Sequence, residues 1–434
     1  MMQILDLRNS VPGDPLNLPR PDLGAEGPVA EVRKILSEVK NRGDAAIREF
    51  SERFDGVRID HLRVDADEIA QACDKLPGKL LDALTEARDS IEAFYHHQPE
   101  EIKPYRRGGI EVRHLLLPVD RAGVYAPGGR AKYPSSVLMT AVPARVAGVG
   151  AIACCVPPAS DGSLPVEVLA AASLAGVDEV YRVGGAQAIA AMAFGTESIP
   201  KVDVIVGPGS KWVSIAQREV RGVVGVPAAF AGPSEVVVIA DERTPVDWAA
   251  IDVIVQAEHG PDGLAWLVTW SESAARAISE MIDRLVEISP RREETQSTLK
   301  SGGYVVLVDS PERAMEVANA IAPEHLEILT DNAEDLLPLV RHAGAIFLGH
   351  LAPASVGDYI AGPSHVLPTF ATARFASVLG IEDFTRRVHA VRVDQRGIER
   401  VARHVATIAG AEGLPAHAES VLMRIGEPTW SKEL

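Results

Sequence analysis

The feature that most constrains the fold of this chain is a long alternation of short apolar segments with segments of helical composition. A first series contains GAIACCVPP, EVYRV and DVIV, and each of these is followed by a helical segment. A second series begins after Ala231 with EVVVIAD and continues with AWLVTW, YVVLV, HLEILT and AGAIFLG. Strands that alternate with helices in this way predict parallel sheets covered by helices. We therefore expect an α/β protein with two Rossmann-like domains of mostly parallel sheets, a helical N-terminal region and a small C-terminal tail domain.

Changes in this pattern predict the domain boundaries. Residues 1–24 contain much Pro and Asn and are expected to form an N-terminal arm. Residues 25–124 and 235–380 are assigned to a first α/β domain, which carries most of the histidine and carboxylate motifs. Residues 125–234 are assigned to a second α/β domain with glycine turns after its strands, and residues 381–434 to the tail.

Two stretches before the first series have different periodicities. From Val29 to about Tyr95, apolar residues recur at spacings of three and four, which predicts helices. Around Gly108 the sequence GGIEVRHLLLPVDRAGVYAPGG alternates, which predicts the strands of a hairpin or ribbon.

Composition excludes several classes of function. The chain has 434 residues and a formal net charge of −17, and its acidic excess is spread along the sequence. This charge argues against nucleic acid or an anionic membrane as the main partner. Since no apolar run approaches the ~18 residues of a membrane span and the N-terminus lacks a signal-peptide pattern, we expect a cytoplasmic protein.

The small number of cysteines also favours a cytoplasmic protein. Three residues, Cys73, Cys154 and Cys155, are too few for a secreted scaffold stapled by disulfides. Cys154 and Cys155 are adjacent within an apolar run, so we expect buried core thiols.

Two glycine turns follow strands of the first series. They contain Gly184-Gly185 and Gly207-Pro208-Gly209, and a third cluster places Tyr125 just before Gly128-Gly129. Glycine at a strand-to-helix turn lets backbone N–H groups approach a phosphate. Neither turn is a complete G-x-G-x-x-G, and tight turns need glycine in any case, so a ligand-binding and a purely structural interpretation both remain open.

The later part of the chain holds four clusters that combine histidine with an acid or an amide. In the first, the i,i+3 spacing places the two side chains on one face of a predicted helix. Imidazole, carboxylate and amide oxygen suit zinc or a similar divalent ion. A single histidine beside Gly or Pro is more often a surface or capping residue, and spacing alone does not show that the clusters converge. The clusters are Gln256 with His259, Glu324 with His325, Asp358 with His365, and Glu412 with His417.

These clusters belong to motifs of a known family. The sequence resembles histidinol dehydrogenases from about residue 25 to residue 424. The segments that carry the resemblance, in order, are VYAPGG, VGGAQAIAAMAFGT, KVDVIVGPG, AGPSEVVVIAD, QAEHGPDG, APEHLEI, SVGDYIAGPSHVLPT and AEGLPAHAESVLMR.

The resemblance implies a zinc-dependent, NAD-linked, four-electron oxidation of L-histidinol through L-histidinal to L-histidine, a step of histidine biosynthesis. It also implies a homodimer in which the tail of one subunit completes the active site of the other. By the same resemblance, the zinc ligands are Gln256, His259, Asp358 and His417, and the bases are Glu324 and His325. The substrate contacts are Ser234, Gln256, His259, His325, Asp358, His365, Glu412 and His417, and the cofactor contacts are Tyr125, Gln187 and Ser210.

The sequence departs from the family pattern near the cofactor motifs. Ser210 stands where the family has asparagine, and VGVPAAFAGPSEV lacks the acidic residue that the family usually carries there. Two alternatives follow: an enzyme of the same fold that oxidises another amino alcohol or a polyol, and a catalytically inactive zinc-binding homologue. Retention of His365 and Glu412 favours histidinol, and the intact Glu324-His325 pair argues against an inactive protein.

Overall fold

The computed structural model describes residues 2–10, 16, 18–19, 28–97, 102–128, 132–227, 232, 234–258, 260 and 263–431. The chain divides into two compact units. The main unit contains Met1–His97 and Val119–Phe384, and the tail unit contains Gln98–Pro118 and Thr385–Leu434. The α/β class with mostly parallel sheets is confirmed, since both sheets of the main unit are parallel.

The strands and helices are numbered in chain order. The strands are β1 (Gln3–Asp6), β2 (Tyr105–Arg107), β3 (Ile110–Pro118), β4 (Arg121–Tyr125), β5 (Ala151–Val156), β6 (Glu179–Arg182), β7 (Val204–Val206), β8 (Glu235–Ala240), β9 (Leu264–Thr269), β10 (Gly303–Leu307), β11 (His325–Leu329), β12 (Ala345–Leu348) and β13 (Thr385–Val393). The helices are α1 (Val29–Arg42), α2 (Asp44–Phe54), α3 (Ala66–Ala70), α4 (Gly78–His96), α5 (Pro134–Val146), α6 (Val166–Leu174), α7 (Gly185–Phe194), α8 (Lys211–Val220), α9 (Val246–Ala257), α10 (Glu272–Ile288), α11 (Arg292–Gly302), α12 (Pro311–Ile321), α13 (Ala333–Leu336), α14 (Ala354–Tyr359), α15 (Gln395–Ala411) and α16 (Pro415–Met423).

The larger sheet has six strands in the order β1-β10-β9-β8-β11-β12. Its central strand β8 is buried along its whole length because helices cover both faces. Val236 and Val238 face the core formed with α9 and α10, while Val237 and Ile239 face the core formed with α12. This burial on both faces explains why these strands are continuous apolar runs in the sequence.

The prediction that residues 1–24 form an arm is wrong for the segment Gln3–Asp6. This segment is the edge strand β1, and Gln3 pairs with Tyr304 of β10. Its side chains are mostly exposed, so the strand is held by backbone hydrogen bonds and leaves no apolar pattern in the sequence.

The smaller sheet has four parallel strands in the order β6-β5-β4-β7. Strand β4 pairs with β5 and β7, so the predicted boundary between residues 124 and 125 cuts through a strand of this sheet.

The predicted grouping of residues 25–124 with the later sheet also needs correction. Helix α1 packs against α7 and α8, and α4 packs against α5, all of them helices of the smaller sheet. The reason is apolar complementarity, because Val32 and Ile35 of α1 share one core with Ile189 and Met192 of α7.

The tail unit contains an antiparallel sheet in the order β13-β3-β2, with α15 packed against α16. The tail therefore includes residues 98–118 in addition to the predicted residues 381–434. The predicted ribbon is also corrected, since β3 pairs with the distant strand β13 as well as with β2, while β4 joins the parallel sheet of the main unit. A pairing across so many residues leaves no local signal in the sequence.

Within the part of the chain that is described, no helix combines the length and the apolar character needed to cross a membrane. All three cysteines are free thiols, and Cys154 and Cys155 are buried in β5 as expected.

Candidate active site

The acid–histidine pair Glu324-His325 lies at the amino end of β11. The chain turns from α12 into this strand through Ala322, which adopts the left-handed conformation with φ 51°. Neighbouring side chains of an extended segment point in opposite directions. Nevertheless, Glu324 Oε2 lies 3.7 Å from His325 Nδ1, and the two residues are only 9% and 3% exposed. The structure therefore brings the two predicted bases together in a buried site.

The backbone of Glu235, the first residue of β8, holds both members of this pair. Its N–H donates to Glu324 Oε2 at 3.0 Å, and its carbonyl oxygen lies 3.2 Å from His325 Nδ1. A carbonyl oxygen can only accept a hydrogen bond, so Nδ1 donates to Glu235, and in the protonated ring Nε2 donates as well. This arrangement directs the other nitrogen, Nε2, towards Asp358 Oδ1 at 3.2 Å.

Burial and charge shift the pKa values of both groups upward. Burial raises the pKa of Glu324 to about 7, although the neighbouring His325 opposes the shift. For His325, burial favours the neutral ring, but the Glu324 and Asp358 carboxylates outweigh it and raise the pKa to about 9. A buried carboxyl group with a pKa near neutrality beside an imidazole is suited to proton transfer.

Asp358 and His365 lie close together on the far side of His325. Asp358 is on the short helix α14, and its carbonyl oxygen lies 2.9 Å from His365 Nδ1. A Cβ at Gly357 would lie 2.5 Å from the Phe347 ring, so glycine lets α14 approach β12 closely. The same Phe347 ring stacks on the His325 imidazole with 6.0 Å between ring centroids. Asp358, His365 and His325 thus belong to one packed group.

Gln256 lies near the end of α9, which packs against α14. Its side chain is 2% exposed, and no described residue forms a hydrogen bond with its amide. An amide oxygen at this buried position can serve as a metal ligand. His259, its predicted companion at i+3, lies outside the described residues.

The donor chemistry of the predicted ligands fits zinc, since it combines carboxylate and amide oxygens with imidazole nitrogens. Among the described residues, no group of three or more His, Cys, Asp or Glu side chains is arranged to hold a metal. The described main unit supplies only Gln256 and Asp358 of the predicted set. His417 and Glu412 are exposed residues of the tail unit, and Ser234 is a half-buried residue just before β8.

The glycine turns of the smaller sheet meet at Tyr125, the last residue of β4. The N–H of Gly185 donates to Tyr125 Oη at 3.1 Å, and burial raises the pKa of this hydroxyl. Gly185 has φ +65°, and a Cβ there would lie 2.7 Å from Gln187 Oε1. Gly207 has φ +114°, and a Cβ there would overlap the Tyr125 carbonyl oxygen. Both glycines are therefore required by the backbone itself.

The position of these turns also favours ligand binding. Strands β5 and β6 lie on one side of β4, and β7 lies on the other, so β4 and β7 flank a topological switch point. Ligands of open α/β sheets bind at the carboxyl ends of the strands beside such a point. Gln187 is buried near the start of α7, and Ser210 is exposed where α8 begins.

Sequence reasoning missed three residues of the site in the larger sheet. Glu235 acts through its backbone, which no side-chain motif reveals. Asp252 and Glu327 are buried carboxyl groups beside the predicted site. Their signal in the sequence was an acid in an otherwise apolar element, as in HLEILT, two residues after His325.

The sequence of the chain is also similar to those of known proteins. The profile of the family described as histidinol dehydrogenase matches residues 18–425. The chain belongs to the histidinol dehydrogenase family. A histidinol dehydrogenase from Synechococcus sp. is 47% identical over 398 residues, which cover 91% of this chain and 92% of that protein. A second, from Parasynechococcus marenigrum, is 48% identical and covers 90% of each chain.

A solved structure agrees with the sequence comparison. The crystal structure of histidinol dehydrogenase from Elizabethkingia anophelis superposes with a TM-score of 0.92 at 32% identity and covers 98% of both chains. The resemblance stated from the ordered motifs and the assignment to a family of dehydrogenases are thus confirmed. The individual roles of the site residues remain predictions.

Proposed function

We propose that this chain is a zinc-dependent, NAD-linked enzyme that oxidises L-histidinol through L-histidinal to L-histidine. The observation that carries the proposal is the buried pair of Glu324 and His325, with 3.7 Å between Oε2 and Nδ1, beside Asp358. Membership of the family and the names of its relatives support the substrate.

The overall reaction fixes what the protein must do. L-Histidinol, two NAD⁺ and one water give L-histidine as its carboxylate, two NADH and three protons. When bound, NAD⁺ accepts the two hydrides and zinc orients the amino and imidazole nitrogens of the substrate. The protein must then accept protons, supply an activated water and exclude bulk solvent.

In the alcohol step, we assign proton removal to His325. Hydrogen bonding of Nδ1 to the Glu235 carbonyl leaves Nε2 to accept the alcohol proton. In the structure Nε2 faces Asp358 Oδ1 at 3.2 Å, and this carboxylate favours the protonated ring. Asp358 would be a ligand of bound zinc, and its carboxylate would then hold the His325 ring less strongly, which would free Nε2 to act as a base.

In the aldehyde step, we assign water activation to Glu324. Its Oε2 is held by the Glu235 N–H, while no described residue forms a hydrogen bond with Oε1. A carboxylate with a pKa of about 7 is a stronger base than an exposed one. Glu324 can therefore take a proton from the water that hydrates the aldehyde.

The zinc ligands in this proposal are Gln256, His259, Asp358 and His417 of the partner subunit. Ser234, His365 and Glu412 of the same motifs then contact the substrate. A homodimer with shared sites follows from this assignment, in which His417 lies on α16 of the tail unit.

The cofactor contacts in this proposal are Tyr125, Gln187 and Ser210. The switch point between β4 and β7 supports this position, because two positive-φ glycine turns and the start of α7 meet there. The expected cytoplasmic location remains a prediction.

One experiment tests the proposal against its two alternatives. Purified protein is incubated with L-histidinol and NAD⁺, and NADH absorbance is followed with and without a zinc chelator. The proposal predicts NADH formation that the chelator abolishes and added zinc restores. NADH from another amino alcohol or polyol but not from L-histidinol would favour the related enzyme. Zinc binding without any NADH formation would favour the inactive homologue.

A further inference from the structure

Two buried carboxyl groups lie beside the candidate active site, and the nearby His325 is a charged group that acts on one of them, Glu327. Glu327 of β11 is 0% exposed, and Asp252 of α9 is 6% exposed. Their carboxyl groups form a hydrogen bond with each other. Asp252 lies outside the motifs that carry the family resemblance, and Glu327 lies within APEHLEI but was given no role there.

A hydrogen bond between two carboxyl groups requires a proton on one of them, because ionised carboxylates can only accept. Burial, together with the nearby Asp252, raises the pKa of Glu327 to about 9. Oε2 of Glu327 is buried with no hydrogen-bond donor among the described residues.

The pair joins three elements of the main unit. Glu327 belongs to β11 and Asp252 to α9, and the first backbone N–H of α14, that of Ala354, donates to Glu327 Oε1 at 3.1 Å. One buried cluster thus connects a strand and two helices by hydrogen bonds.

Each of these three elements also carries a residue of the site. His325 is two residues before Glu327 and lies on the same face of β11. Gln256 is four residues after Asp252 on α9, and Asp358 is four residues after Ala354 on α14, so each lies one turn along its helix. On each element, the residue that takes part in these hydrogen bonds is therefore two or four positions from the residue of the site.

We propose that Asp252 and Glu327 form a hydrogen-bonded carboxyl pair that fixes α9 and α14 against β11 and so sets the spacing between Gln256 and Asp358. The two carboxyl groups are positioning residues and touch neither substrate nor cofactor. The inference rests on the proposed function, since it takes Gln256 and Asp358 as zinc ligands.

The test compares two substitutions of Glu327. In Glu327→Gln, the amide oxygen still accepts from Ala354, and the amide N–H₂ donates to an ionised Asp252, so geometry and total charge are kept. In Glu327→Ala, both hydrogen bonds are lost. The measurement is the zinc dissociation constant of the full-length protein, obtained by competition with a chromogenic chelator, together with the melting temperature of the zinc-free protein.

We expect zinc to bind Glu327→Gln within about threefold of wild type and Glu327→Ala about 10- to 100-fold more weakly, the usual effect of losing a group that orients a metal ligand. Val238→Ala is the matched control. Val238 pairs with Glu327 in the sheet and is fully buried, so its truncation destabilises the same face without removing a polar anchor. Zinc affinity of this control should equal that of wild type.

Three results would overturn the inference: wild-type zinc affinity in Glu327→Ala, equal losses in Glu327→Gln and Glu327→Ala, or an equal loss in Val238→Ala. If Glu327→Ala does not fold, Asp252→Ala takes its place with the same expectation. Failure of the wild-type protein to bind zinc would instead contradict the proposed function, so the two failures are distinguishable.

Discussion

The substitution Glu324→Gln should separate the two oxidation steps. Glutamine has nearly the same shape, and its amide oxygen can still accept from the Glu235 N–H, which now binds Glu324 Oε2 at 3.0 Å. The buried site should therefore keep its structure while it loses the carboxylate. Only the step that needs this base is expected to slow.

The expected loss of rate in Glu324→Gln follows from the separate roles assigned to Glu324 and His325. Loss of a general base lowers a rate by about 10²- to 10⁴-fold, and this loss should fall on the oxidation of L-histidinal. The alcohol step uses His325, whose Nδ1 remains held by the Glu235 carbonyl. Its rate should stay within about tenfold of wild type, because the substitution removes a neighbouring charge and not the base.

The assay supplies L-histidinol and L-histidinal separately and measures single-turnover NADH formation. His325→Asn is the matched variant, with the larger loss expected on L-histidinol. Equal losses on both substrates in both variants would refute the division of roles. A larger loss of alcohol oxidation in Glu324→Gln would show that the roles are exchanged.

Three further predictions concern other parts of the chain. Gly185→Ala should weaken NAD⁺ binding at least tenfold in a fluorescence titration and destabilise the fold by about 1–2 kcal/mol, because its φ is +65° and the new Cβ would meet the Gln187 amide. Burial opposes ionisation of Glu419, but hydrogen bonds from Ser431 and Thr429 lower its pKa to about 2. The melting temperature of wild type should therefore exceed that of Glu419→Gln above pH 4.5. This difference in melting temperature should shrink as the pH falls towards 2. A mixture of the inactive variants His259→Ala and His417→Ala, allowed to exchange subunits, should regain about one quarter of wild-type activity, since half of the dimers are hybrids with one intact site.

Each of these predictions has a control and a contradicting result. Gly410→Ala adds a Cβ to α15 where nothing lies within 4 Å, so it should leave NAD⁺ binding unchanged. Glu399→Gln, which replaces an exposed carboxylate of α15, is the matched control for Glu419→Gln. A Glu419→Gln difference that grows at low pH would contradict the sign. A mixture without activity after subunit exchange would place His417 in the site of its own chain.

The parallel sheets could be predicted because their strands are buried on both faces and leave unbroken apolar runs. Strand β1 and the pairing of β3 with β13 could not, since an exposed edge strand has no apolar pattern and the partners lie far apart in the sequence. The packing of α1 on the smaller sheet was missed for a related reason. An amphipathic helix shows which of its faces is buried but not which core receives it.

The candidate site was predicted to a similar extent. Residue types pointed to Glu324, His325 and Asp358, but nothing local showed that the first two would approach each other, because neighbours on an extended chain diverge. Their approach depends on the backbone of Glu235, which belongs to a different strand. The contact between the buried carboxyl groups of Asp252 and Glu327 could not be predicted from the sequence either. It depends on one strand and two helices that meet only in the folded chain.

The number of NADH molecules formed for each L-histidinol consumed tests the central claim most directly. The purified protein is given limiting L-histidinol and excess NAD⁺, and NADH, L-histidinal and L-histidine are quantified at completion. The account predicts two NADH and one L-histidine for each L-histidinol, with no L-histidinal left. One NADH per substrate with L-histidinal as the end product would contradict it, because Glu324 would then activate no water.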